Sequence, residues 1–157
     1  MVKPPNVGEK APDFDLPRDG GSRLRLSSLA GKKVVLYFYP KDDTPGCTIE
    51  GREFTAANSE FSAADTHILG LSADSVARHD KFKVKHDLDI ALVSDEDHEA
   101  LEAYGVWVEK NMYGRKSMGI ERATYLIDRE GRIARIWRKV KVKGHVEEVL
   151  EAARALP

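Results

Sequence analysis

The chain has one cysteine, Cys47, in 157 residues. That scarcity excludes an internal disulfide, a thiolate-rich metal site and a Cys-x-x-Cys redox pair. The five histidines, His67, His79, His86, His98 and His145, lack the close pairing of a zinc motif, so they are expected to be structural or on the surface. Net charge is nearly absent too: 25 basic against 26 acidic side chains leave −1, which offers no electrostatic case for nucleic acid. The one basic stretch, Arg135 to Lys143, alternates with Ile136, Trp137, Val140 and Val142 and reads as a solvated strand face. No apolar run approaches the roughly 20 residues of a membrane span. Met1-Val-Lys-Pro-Pro5 has no apolar signal core, so a cytoplasmic protein in a reducing compartment is expected.

What is present suits a soluble globule. Hydrophobic residues are 41% and charged residues 32%, and the length fits one domain over 1–157 with a sizeable core. Residues 13–17 and 23–26 flank Arg18-Asp-Gly-Gly-Ser22 and predict a hairpin, with a short helical turn near Ser27 or Ser28. Strands are predicted at 34–39, 67–71, 91–93, 123–128 and 132–138. Helices are predicted at 45–62, 75–86, 95–104 and 144–156. Their inward residues are Phe54, Ala57 and Phe61, then Val76 and Phe82, then Leu101 and Tyr104, and last Val146, Val149, Leu150 and Ala153. Trp107 and Trp137 read as core or half-buried. Residues 106–118 carry no clear period and read as strand ends and loop. Strands alternating with helices, closed by a hairpin and a helix, give an α/β sandwich.

The cysteine sits in Tyr39-Pro-Lys-Asp-Asp-Thr-Pro-Gly-Cys-Thr-Ile-Glu50. The strand 34–39 precedes it and Pro40 ends that strand. Thr44 is a good N-cap and Pro45 a good first helical residue. Cys47 therefore falls in the first turn of a helix, where free backbone N–H groups and the positive end of the dipole favour a thiolate. Gly46 removes bulk beside the sulfur, so a small substrate can approach the backbone. A buried, inert cysteine is the plainer alternative. It would not need Thr-Pro-Gly before it.

Pro40, Thr44 and Cys47 match the Pro-x-x-x-Thr-x-x-Cys signature of peroxiredoxins, and the fuller string resembles the Q-type branch, the bacterioferritin-comigratory proteins. Gly8 to Phe14 resembles that family's opening strand, Gly119 to Asp128 its second active-site segment, and Val142 to His145 its final-helix entry. The resemblance implies a thioredoxin-like fold with an N-terminal β-hairpin and an inserted strand–helix unit. It implies a peroxidase without cofactor or metal, reducing hydrogen peroxide and organic hydroperoxides through a Cys47 sulfenic acid.

Such a reaction needs an ionised sulfur and fixed donors for charge moving along the O–O bond. The Thr44 hydroxyl can orient the peroxide, accepting or donating, and a guanidinium serves both needs. Arg52, Arg115, Arg122, Arg129, Arg132 and Arg138 are all candidates from the sequence alone. The resemblance selects Arg122, at the start of strand 123–128. Pro40 would shield the sulfur and shape the loop. Gly46 and Glu50 complete the expected substrate-binding set, and Glu50, three residues after Cys47 on the same helix face, could hold Arg122.

The chain departs from many Q-type relatives in lacking a second, resolving cysteine. Arg52 occupies one of its positions, and Lys81-Phe-Lys-Val-Lys85 matches the segment that holds the other. The expected reductant is therefore an external thiol: glutathione, glutaredoxin or thioredoxin. A monomer is expected. Two rival readings remain: a peroxide sensor using the same cysteine without fast turnover, and a redox-inert chaperone or binding module on the same scaffold.

Overall fold

The strand Lys33–Phe38, β3, explains the architecture. All six residues are buried, and from Val34 through Tyr39, just past the strand, the side chains alternate between two cores. Val34, Leu36 and Phe38 face one apolar cluster, while Val35, Tyr37 and Tyr39 face the other. A strand buried on both faces reads as a continuous apolar run rather than an alternating one. The structure is a computed structural model and describes residues 3–157; residues 1 and 2, part of the stretch read for a signal core, lie outside it. No helix among the described residues is long and apolar enough to cross a membrane.

β3 is the middle of a five-stranded sheet. Thr66–Ser72 (β4) pairs with it in parallel, and Ala91–Ser94 (β5) pairs in parallel with β4. On its other edge Ala123–Ile127 (β8) runs antiparallel, followed by Ile133–Trp137 (β9). The hairpin Asp15–Pro17 (β1) and Arg23–Arg25 (β2) forms a separate small sheet, and a 3₁₀ turn at Leu26–Leu29 follows it.

Helices Pro45–Ala63 (α1) and His145–Ala155 (α4) pack together on one face of the sheet. Phe54 and Phe61 are fully buried there, with Val146, Val149, Leu150 and Ala153 from α4. Tyr37 stacks on Phe54 with ring centroids 4.5 Å apart. Truncating Phe54 to alanine would cost about 3–5 kcal/mol. The β1–β2 hairpin and the short helix Glu99–Ala103 (α3) cover the other face. This is the thioredoxin-like α/β sandwich, with its N-terminal hairpin and with Val76–His86 (α2) and β5 extending the sheet.

Three local expectations differ from what forms. α3 starts at Glu99, not Asp95, because Asp95 stays outside and caps it. Its carboxylate accepts the N–H groups of Glu99 (3.0 Å) and Leu101 (2.8 Å), and His98 sits left-handed at φ 65°. Residues 107–120, which carried no clear period, form the hairpin Trp107–Met112 (β6) and Arg115–Ile120 (β7). Its strands are mostly exposed, so no buried face left an alternating pattern. Its tip is Tyr113-Gly114, both at positive φ, as a two-residue hairpin turn requires. On α2 the fully buried residues are Phe82 and His79, while Val76 is only half-buried.

Candidate active site

The site lies where β3 ends and α1 begins, at the carboxyl ends of the parallel strands. Pro40 stops β3 and is half-buried. The loop that follows is tied down from below. Asp42, 3% exposed, accepts a hydrogen bond from the Tyr39 hydroxyl (2.6 Å) and one from His79 Nδ1 (2.7 Å). Its own N–H donates to Asp74 Oδ2 at 2.8 Å. His79 Nε2 faces the Val93 carbonyl at 2.9 Å, which can only accept. Acceptors at both nitrogens favour the doubly protonated ring. Burial opposes that charge, but the Asp42 carboxylate outweighs it and holds His79 above the ordinary histidine range. The neighbouring Asp43, left-handed at φ 63°, bridges Lys85 (2.7 Å) and His86 (2.8 Å). Three carboxylate contacts, from Asp42 to His79 and from Asp43 to Lys85 and His86, thus anchor the loop to α2.

Thr44 is the N-cap residue of α1 and Pro45 opens the helix. The Thr44 hydroxyl does not cap a helix N–H, contrary to expectation; it donates to the Lys41 carbonyl at 2.8 Å. Pro45 has removed one orphan donor, and the hydroxyl closes the loop instead. With its hydrogen so engaged, Thr44 offers a ligand its lone pairs. Cys47 is the third helical residue and is 2% exposed. The first backbone amide to enter the helical ladder is that of Thr48, which donates to Thr44 O at 2.9 Å. The N–H groups of Gly46 and Cys47 precede it, as helix geometry dictates.

Register brings in the arginine. Ala123 of β8 pairs with Phe38 of β3, so Arg122 enters beside the end of the central strand. Its Nη2 lies 3.4 Å from Cys47 Sγ and its Nη1 lies 2.6 Å from Glu50 Oε1. Arg52 is exposed on the outer face of α1. Gly46 also leaves room for this guanidinium: a Cβ there would stand 3.1 Å from Arg122 Nη2.

Glu50 is fully buried, and its Oε2 has no hydrogen-bond partner among the described residues. Burial pushes its carboxyl up to about 7 despite the pull of Arg122. His145, whose Nε2 lies 2.8 Å from Thr124 Oγ1, is driven down by burial to about 4 and is neutral near pH 7. The structure thus joins Cys47, Arg122 and Glu50 in contact, with Gly46 beside the guanidinium and Thr44 and Pro40 along the loop. It adds Asp42 and His79, which no local motif announced.

Residues 7–136 match the AhpC/TSA family. The chain belongs to that family. It is a Q-type peroxiredoxin. It is 56% identical to a bcp protein of Coxiella burnetii over 92% of this chain and 95% of that one. It is 49% identical to Peroxiredoxin Bcp of Bacillus subtilis over 94% of each. The solved structure of the bacterioferritin comigratory protein of Xanthomonas campestris superposes with a TM-score of 0.90 at 45% identity, covering 96% of this chain and 98% of that one. The peroxiredoxin is accordingly an oxidoreductase, a thiol-dependent peroxidase, and its single cysteine fits the lack of a resolving one.

Proposed function

We propose that this peroxiredoxin works by a one-cysteine mechanism, with Cys47 as the nucleophile and an external thiol as reductant. The observation that carries the reading is the Arg122 guanidinium on the sulfur of the only cysteine, 3.4 Å away. A fixed cation there stabilises a thiolate and the negative charge that develops along the O–O bond. The thiolate attacks one oxygen of hydrogen peroxide or an organic hydroperoxide. The S–O bond forms, the O–O bond breaks, and the other oxygen leaves as water or alcohol after taking a proton. Thr44 accepts from the peroxide O–H, Pro40 shields the sulfur, and the helix-start N–H groups donate. The Xanthomonas relative is described by its alkyl peroxide reduction activity, which supports organic hydroperoxides as substrates here.

The resulting sulfenic acid has no cysteine partner within the chain, so glutathione, glutaredoxin or thioredoxin must reduce it. The near-complete burial of Cys47 favours one second reading, a peroxide sensor whose oxidised sulfur meets thiols slowly. Peroxide consumption, measured in parallel with the three thiol systems, separates the two. We expect sustained turnover with at least one system and none in Cys47→Ser. Oxidation of Cys47 with no turnover in any system would replace the peroxidase with the sensor.

A further inference from the structure

We propose that Cys47 and Glu50 share one proton across the Arg122 guanidinium, so that the thiolate forms by passing its proton to a buried carboxylate rather than to water. This rests on the reading of Cys47 as the reacting thiolate. The geometry is one cation between two acids. Arg122 gives Nη1 to Glu50 and Nη2 to Cys47, which lie three residues apart on α1. Glu50 is 0% and Cys47 2% exposed. Among the described residues, Arg122 is the only cation hydrogen-bonded to either.

The other titratable groups facing the site add no second positive charge. Glu53 on α1 acts as a further negative charge on Glu50, Tyr37 on β3 is buried and neutral, and His145 on α4 is neutral near pH 7. Two anions on one cation would leave a net negative charge sealed from water, which is costly; one anion leaves a neutral pair. The carboxyl has room for the proton, because Oε2 is unengaged.

The bookkeeping closes at every step. The thiol and the Glu50 carboxylate become thiolate and carboxylic acid. The thiolate then gives its electron pair to one peroxide oxygen. The departing hydroxide or alkoxide takes the proton held on Glu50. The site is left with a sulfenic acid, a carboxylate and a guanidinium, still with no net charge.

Reciprocal titration tests this without peroxide, so its failure is distinct from a failure of the peroxidase reading, which the turnover assay reports. The Cys47 thiolate is followed by ultraviolet absorbance in the wild type and in Glu50→Gln. The amide of glutamine can still accept from Arg122. The Glu50 carboxyl is followed by carboxyl-carbon NMR in the wild type and in Cys47→Ser. Each variant should remove the partner's late, high-pH step, and the wild type's two apparent midpoints should together exceed the two variants' midpoints by about one pH unit or more, which is the coupling between the sites. A Glu50 that only positions Arg122 would give an unchanged or raised thiolate midpoint in Glu50→Gln. An identical Glu50 titration in the wild type and in Cys47→Ser would overturn the proposal, even if the glutamine variant failed to fold.

Discussion

Gly46→Ala should make the protein more stable and less active. Gly46 is the second residue of α1 and is not at positive φ, so alanine fits the backbone. In a helix interior alanine is favoured over glycine by about 1 kcal/mol, and part of that gain is expected in a first turn. The added Cβ would stand 3.1 Å from Arg122 Nη2 and 3.8 Å from its Cζ. The first distance is tighter than an ordinary carbon–nitrogen contact, so the guanidinium must retreat by a few tenths of an ångström. That same Nη2 is the atom 3.4 Å from Cys47 Sγ. Complete loss of a preorganised donor costs about 3 kcal/mol, and a partial displacement should cost about 1 kcal/mol, or roughly fivefold in the rate of Cys47 oxidation. Competition kinetics against a second peroxide-consuming enzyme gives the rate constant, and thermal unfolding gives the stability. A rate within twofold of wild type would refute the reasoning. So would a rate and a melting temperature that fell together, since the loss would then report damage to the fold.

Arg122→Ala should lower the peroxide rate constant by about a hundredfold, while Arg52→Ala leaves it unchanged; equal losses would mean the wrong guanidinium was assigned. Thr44→Val should slow the same step with the melting temperature intact, and an unaltered rate would remove the hydroxyl from the mechanism. His79→Ala leaves Asp42 buried beside only the Tyr39 hydroxyl and the Asp74 region, so chemical denaturation should show a loss of about 3–5 kcal/mol. Stability should also respond to acid in a specific way. Glu50, pushed up to about 7, binds its proton first in the folded state, so it adds stability as pH falls from about 7 toward 4.5. His145, held down to about 4, is protonated first in the unfolded chain, so it removes stability as pH falls from about 6.5 toward 4. The two offset each other in the wild type. Denaturation at about pH 7 and about pH 5 should therefore show Glu50→Gln losing more stability on acidification than wild type, by on the order of 2 kcal/mol. Equal losses would mean Glu50 is not a protonated carboxyl in the folded protein.

The proposed nucleophile is legible because its signal is local. Thr44-Pro-Gly-Cys47 sets the cap, the helix start and the sulfur within four residues. Arg122 was not legible from residue pattern, which left six arginines open; only the family resemblance chose it. The physical reason for that choice is a register, Phe38 against Ala123, and registers between distant strands leave no mark on one sequence. Asp42 and His79 were invisible for the same cause, being 37 residues apart. Thr-Pro-Gly-Cys marks Gly46 as special, but the side chain it accommodates comes from 76 positions later and leaves no local signal. The β6–β7 hairpin escaped because exposed residues such as Glu109, Lys110, Asn111 and Lys116 carry no period; only its Tyr113-Gly114 tip carried a signal.

The most direct test of the central claim is peptide-mapping mass spectrometry after one equivalent of hydrogen peroxide, chased with glutathione. One oxygen should appear on Cys47, then a glutathione mixed disulfide on the same residue, then the free thiol as more glutathione arrives. With excess peroxide and no thiol, Cys47 should carry two or three oxygens. Among the described residues, Met112 and Met118, 66% and 51% exposed, are the internal competitors. Oxygen on those methionines with Cys47 left unmodified would contradict the account.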